Sequence, residues 1–441
     1  MEGGPGGAEE VRPVVARAVC ALLMRLAEMS EAGTKHPVYR WVVLSTWMTA
    51  HVLGFAIISV IGILLPAISG EMGLSPSQQG LLGSSAQWGN ILLAIPLALW
   101  ASRLRPKLLT SATLVFGTGM VFLQGWASTF ALLLMARLLL GVSLAARRAA
   151  FALLTHQWFP PREFVLANGV VNAFFGVTLG LAYFGTPLIL ESMGGNWRTT
   201  LYVFGFLCLA MTCAWLVLGR ERPTPHNLEQ ADVPKKSSPL RALFRYKELW
   251  LCGLGFFGAQ VAWAAFANFW PTLMLDRYGV SLEWSGNIFA INALAAAIAG
   301  MGIGVLMSRW NVRRTVIVLG GLVLGATLAG MNLTGAIPVL IAADIVNGVA
   351  WGFWPVMMTI PFQLRGIKPR ETAVALAFID TCLVLAGATG PALAGVLSEA
   401  TGDLRLALIV TSFFCLALCI VGLALPFGRL RDESSRKAAS Q

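Results

Sequence analysis

Apolar residues fall in runs of roughly 20 or more, enough for a helix to cross the hydrocarbon core of a bilayer. Polar and charged residues gather between the runs. Twelve spanning helices are predicted, at 41–66, 79–101, 108–127, 130–156, 164–190, 199–219, 248–274, 282–307, 315–332, 334–361, 372–398 and 405–427, numbered here spans 1 to 12. The connecting segments alternate in character. On one side lie the N-terminal segment, "ASRLRPK", "PPRE", the long "GRERPTPHNLEQADVPKKSSPLRALFRYKE", "SRWNVRR", "LRGIKPRE" and the tail "GRLRDESSRK". These hold about 26 of the 32 Lys and Arg, while the opposite loops hold Arg198, Arg277 and Arg405.

Composition agrees with this pattern. Hydrophobic residues make up 57% and charged residues 12%, and the mean hydropathy is +0.73. No ordinary soluble domain has that balance, so the chain reads as an all-α, polytopic membrane protein. The net charge of +11 marks orientation: basic loops stay inside, which places both termini in the cytoplasm and the protein in the inner membrane. It does not predict nucleic acid as a partner. The seven cysteines are scattered through apolar segments without metal-ligand spacing or a disulfide framework. Residues 1–38 read as a cytoplasmic extension in which "VRPVVARAVCALLMRLAEM" is a short amphipathic segment and not a signal peptide; a start at Met24 or Met29 would make it dispensable.

The chain also repeats itself. "GLSPSQQGLL" from Gly73 aligns with "GVSLEWSGNI" from Gly279, pairing Ser75 with Ser281 and Gly80 with Gly286. At the same offset Ser102-Arg103 falls on Ser308-Arg309. With a shift only two residues longer, "PPRE" ending at Glu163 falls on "KPRE" ending at Glu371. Register held over several helices indicates duplication. The expected domains are a six-helix bundle at 39–219, a cytoplasmic linker at 220–247, a second bundle at 248–427 and a tail at 428–441. An even number of spans separates the copies, so a pseudo-twofold axis along the membrane normal relates them.

Six plus six helices, a basic central loop, the loop after span 2 with its copy after span 8, and "RLLLG" followed by "WFPPRE" resemble the major facilitator superfamily over residues 39–427. The resemblance implies alternating access around a midplane site lined by spans 1, 4, 7 and 10, with spans 3, 6, 9 and 12 facing lipid. Ser102 and Ser308 stand where the superfamily's loop motif carries an acid, so a conformational latch formed with Arg103 and Arg309 rests there on neutral hydrogen bonds. Span 5 reads "GVTLGLAYFGTPLIL" and lacks the Gly-Pro-Gly-Gly run of drug/proton antiporters. "YRWVVL" and "GLSPSQQG" resemble bacterial nitrate/nitrite, cyanate and organic-anion permeases.

Charge within the membrane then directs attention. A charge at the bilayer centre costs about 2.5–3.5 kcal/mol on the lenient insertion scale, so it usually meets a wet cavity or a partner. Arg137 and Asp344 occupy matching places in spans 4 and 10, since Gly141 matches Gly348; they either pair across the halves or bind helix ends in their own. Arg147 and Arg148 lie near mid-depth in "GVSLAARRAAFALL". Either one pairs with Asp380 or Asp344 while the other reaches cytoplasmic water, or at least one binds an anionic substrate through the planar guanidinium fork. Asp380 in span 11, whose counterpart in span 5 is Asn172, is a permanent salt-bridge partner or a proton-coupling acid. His51 in span 1 is a neutral hydrogen-bonding group or a proton carrier. Arg137 joins Ser102, Arg103, Ser308 and Arg309 as a conformational candidate.

The neutral pocket candidates are Gln87, Asn90, Asn172, Gln260, Trp263, Asn268, Asn347, Trp351 and Trp354. Asp344, Asn347, Trp351 and Trp354 share one helical face. No nucleotide, metal or nucleophile motif occurs, which leaves no catalytic or metal residues, no cofactor and no enzyme activity to expect. The reading is a secondary active transporter, acting as a monomer on a small anion that is taken up with protons or exchanged. A proton-coupled drug or metabolite exporter and a non-transporting membrane sensor are the alternatives.

Overall fold

The computed structural model describes residues 39–92, 105–159, 164–221, 244–310, 312–364, 366–367 and 369–426. Among them every regular element is helical, and eleven helices are long and apolar enough to cross a membrane. The remaining expected span, span 2, is seen as Pro76–Leu92; its predicted continuation at 93–101 lies outside the described residues. Span 1 comprises Tyr39–Ser59 and Ile61–Met72. It is followed by span 3 at Pro106–Trp126, span 4 at Phe130–Trp158, span 5 at Phe164–Ser192 and span 6 at Trp197–Leu218. The second copy has span 7 at Lys247–Tyr278, span 8 at Leu282–Arg309, span 9 at Arg313–Met331 and span 11 at Pro369–Thr401. Span 10 is divided into Ile337–Ala350 and Phe353–Gln363, and span 12 into Leu404–Ser412 and Leu416–Ala424.

Local chemistry sets the ends of these helices. Spans 1 and 7 outrun their apolar stretches and stop at Gly73 and Gly279, whose φ values of 63° and 66° suit a residue without Cβ. Asn196 caps span 6 by accepting from the Arg198 and Thr199 N–H groups. Asp403 does the same for span 12 with those of Arg405 and Leu406. An ion pair closes the same corner of each half with its charges exchanged: Glu71 with Arg198 in the first, Arg277 with Asp403 at 3.8 Å in the second.

Large apolar side chains project outward from spans 3, 6, 9 and 12, including Val115, Phe206, Leu319 and Leu423. That is the lipid-facing composition expected for helices on the outside of the bundles. Spans 4 and 10 pack within their own halves, whereas span 2 packs on span 11, span 5 on span 8, and Ile61–Met72 on span 7. These seams gather toward the face remote from the chain termini, called here the far face. Glycines let backbones touch there: a Cβ on Gly62 would fall 2.1 Å from the Ala267 carbonyl oxygen, and one on Gly395 2.5 Å from that of Pro76. The molecule is closed at its far face.

Candidate functional site

Charged residues in the spans are distributed by backbone geometry more than by ion pairing. Arg137 is fully buried in span 4 and reaches three neighbouring helices. Its Nε donates to the Leu82 carbonyl at 3.1 Å, Nη2 to the Ile58 carbonyl at 3.2 Å, and Nη1 to Gln124 Oε1 at 3.4 Å. Ile58 lies just before the break in span 1 at Val60, where the regular ladder is interrupted and a carbonyl needs a donor.

Asp344, at the matching place in span 10, is also fully buried. Its Oδ1 accepts from Asn292 Nδ2 at 3.1 Å, and its Oδ2 has no hydrogen-bond partner. The same Asn292 amide donates to Asn347 Oδ1 at 3.1 Å, and Asn347 Nδ2 donates to the Thr327 hydroxyl at 2.7 Å. Of the two arrangements open in the sequence, each charge thus stays within its own half.

Arg147, expected either as a cavity-lining ligand or as the partner of an aspartate, lies here as a tie between helices. Only 2% exposed, it donates from Nη1 to the Ala50 carbonyl of span 1 at 3.0 Å and from Nη2 to the Thr113 carbonyl of span 3 at 3.1 Å. Gly117 leaves space for it, since a Cβ there would stand 3.2 Å from Nη2, whereas one on Gly54 would meet Nη1 at an ordinary 3.5 Å. Arg148 follows one residue later in the same helix, turned about 100° around its axis. The side chains of Arg148, Asn172, Ser308 and Arg309 lie outside the described residues, as do Ser102 and Arg103 altogether.

His51 stacks on Trp47, with centroids 4.8 Å apart and planes 13° apart. Asp380 is exposed on span 11. The expected face of span 10 is split by the break at Trp351 and Gly352. Asp344 and Asn347 turn to spans 8 and 9, whereas Trp351 meets Trp263 of span 7 edge-on at 5.8 Å and Trp354 at 6.1 Å.

Asn268 is buried where the halves meet, against Gly83 of span 2, whose Cβ would fall 2.2 Å from Asn268 Oδ1. Neither its Oδ1 nor its Nδ2 has a hydrogen-bond partner, an expensive state for a buried amide. Gln87 flanks the span 2 to span 11 seam beside Gly387. The structure therefore joins Trp263, Trp351 and Trp354, places Asn268 and Gln87 on the seams, and removes Arg137, Arg147 and Asp344 into the bundles.

Asn292 and Thr327 were missed in the sequence. An amide amid the apolar residues of span 8 was the available signal for Asn292; Thr327, at the edge of a cavity of about 270 Å³ between spans 9 and 10, had none.

A family model, Major Facilitator Superfamily, matches residues 47–364 and 263–441. The chain belongs to the major facilitator superfamily. It is similar to the "probable sulfoacetate transporter" of Cupriavidus necator, with 25% identity over 80% of this chain and 85% of that one. With the hexuronate transporter of Bacillus subtilis it shares 22% identity over 80% and 86%. Among solved structures, an inward-facing, unoccupied bacterial homolog of the human lysosomal transporter Spinster superposes with a TM-score of 0.72. That match has 18% identity and covers 90% of this chain and 99% of the other. The superfamily member described here is an integral membrane protein and a transporter rather than an enzyme.

Proposed function

We propose that this superfamily member is a secondary active transporter that moves a small organic anion across the inner membrane with protons, acting as a monomer with both termini in the cytoplasm. The observation that carries the reading is the commitment of Arg147 to two backbone carbonyls. The permanent cation of the pair left for a carboxylate or sulfonate is then Arg148, which cannot share its neighbour's direction. Relatives named for sulfoacetate, hexuronate and galactarate/D-glucarate, all acids, support an anionic substrate. Trp263, Trp351 and Trp354 supply an aromatic wall, and Asn268 and Gln87 supply amides that select orientation. Asp380 is assigned the coupling proton, with His51 and Asp344 as further carriers.

Uptake of labelled organic acids into proteoliposomes under an imposed pH gradient tests the reading. Accumulation should depend on the gradient and fall at least about tenfold in R148Q, as expected when a charge-assisted pair is lost. Accumulation that survives R148Q unchanged sinks the assignment, and accumulation indifferent to the gradient sinks the proton coupling.

A further inference from the structure

The far-face seal contains two crossings that the duplication makes equivalent. In one, Gly80 of span 2 lies against the Pro391 carbonyl of span 11. In the other, Gly286 of span 8 lies against the Tyr183 carbonyl of span 5. An added Cβ would stand 2.4 Å from the oxygen in both. Toward the far face the two crossings diverge, because the matched positions carry different chemistry: Glu399 corresponds to Glu191, Ser75 to Ser281 and Ser77 to Glu283.

Glu399 reaches into the opposite half, where its Oε2 accepts from the Ser77 N–H at 3.0 Å and from the Ser75 hydroxyl at 3.1 Å. The Ser77 N–H belongs to the first turn of Pro76–Leu92 and has no acceptor within its own helix. A carboxylate there both caps the helix and meets the positive end of its dipole. The turn is held ready by Gln78, whose Oε1 accepts from the Ser75 N–H at 3.0 Å.

The second crossing has no such bond. Ser281 caps its own helix by accepting from the Trp284 N–H at 3.3 Å, just as Ser75 accepts from the Gln78 N–H at 3.4 Å; the difference is Glu283, which puts a carboxylate where Ser77 stands in the first copy. Among the described residues, no hydrogen bond or ion pair joins Glu191 or Glu283 to the opposite half. The Glu283 N–H and the Ser281 hydroxyl offer the same donors, but the Glu283 carboxylate beside them would repel a second carboxylate such as that of Glu191.

We infer that Glu399 is the latch of the far-face gate. Its single carboxylate, laid on a helix end of the other half, biases the transporter toward the far-closed state, and opening at this face requires its release. The carboxylate bias comes from one side of the seam only; the span 5 to span 8 crossing relies on packing, with Gly286 on the Tyr183 carbonyl and Tyr183 edge-on to Phe289 at 5.1 Å.

Asn268 serves as a reporter, because it is 4% exposed and buried between the halves against Gly83. N268C is placed in the full-length chain otherwise freed of cysteine, purified in detergent and labelled with a water-soluble maleimide. When opening and closing are fast relative to labelling, the labelling rate follows the far-open fraction. E399A should raise the rate about threefold to tenfold, the range expected for losing an exposed charge-assisted bond. E399Q should fall between E399A and the parent, S75A should raise the rate about twofold, and E191A should leave it unchanged. If E399A fails to fold, S75A and E399Q carry the test. An unchanged rate in the folded latch variants overturns the proposal, as does an E191A effect equal to that of E399A.

Discussion

Arg137 and Asp344 occupy one position in two copies of the same bundle, and the copies treat their charges differently. The backbones agree. Gly141 of span 4 lies on the Ala86 carbonyl of span 2, and Gly348 of span 10 lies on the matching Asn292 carbonyl of span 8. Each glycine follows the charged residue by one turn and presses its helix onto the next. A guanidinium at this place carries several donors into a region rich in carbonyl oxygens, and Arg137 takes three acceptors from three helices. A carboxylate has no donor to offer those carbonyls. Asp344 instead needs amides, and Asn292 supplies one to Oδ1 while Oδ2 is left unpartnered. The same scaffold thus yields a rigid tie in one half and an under-satisfied acid in the other.

Substitutions at matched positions test this contrast. R137M removes donors from three helices and should lower stability by about 3 kcal/mol, read as thermal or denaturant unfolding in detergent. D344N, which exchanges the acid for its isosteric amide, should change stability by less than about 1 kcal/mol. Equal losses in the two variants would break the comparison. R147M should cost about 2 kcal/mol by releasing spans 1 and 3 from span 4, and R147K should recover only part of that, since an ammonium lacks the planar fork.

The glycines give a finer contrast. G141A would bring a Cβ within 1.8 Å of the Ala86 oxygen, whereas G348A first meets the Ala295 Cβ at 2.6 Å and the Asn292 oxygen at 2.9 Å. Both should destabilise by about 1–3 kcal/mol, with G141A at the upper end. Reversal of that order would show that span 10 yields less than span 4. The smallest effect is expected for T327V, at most about 1 kcal/mol. It removes the hydroxyl that receives Asn347 but leaves the contact between Asn292 and Asp344 intact.

Much of the architecture was legible before any coordinates. The twelve runs, the matched glycines and the serine-arginine pairs placed the spans and the two halves, and Gly80 and Gly286 now appear at equivalent crossings. The partners of the charges were less legible. Arg147 and Arg148 are neighbours in sequence but occupy positions about 100° apart around a helix, and hydropathy does not say which position meets span 1 and span 3. Arg147 lies against the Ala50 and Thr113 carbonyls, with Gly117 leaving space beside its Nη2. Span 10 was expected to keep one continuous face, and the break at Trp351 and Gly352 divided it between a polar network and an aromatic cluster.

What the sequence determined by itself is the number of spans and their pairing by duplication, beside a resemblance to the superfamily carried by its motifs. Those properties follow from local sums: enough apolar residues to cross a bilayer, glycines able to adopt left-handed caps, and repeated spacing. Only the tertiary structure decided that Arg137 and Arg147 tie helices together, that Asp344 is served by Asn292, and that Glu399 crosses to a helix end of the other half. A buried charge settles with whatever donors or acceptors folding brings within about 3 Å, and those groups come from helices far apart in the chain.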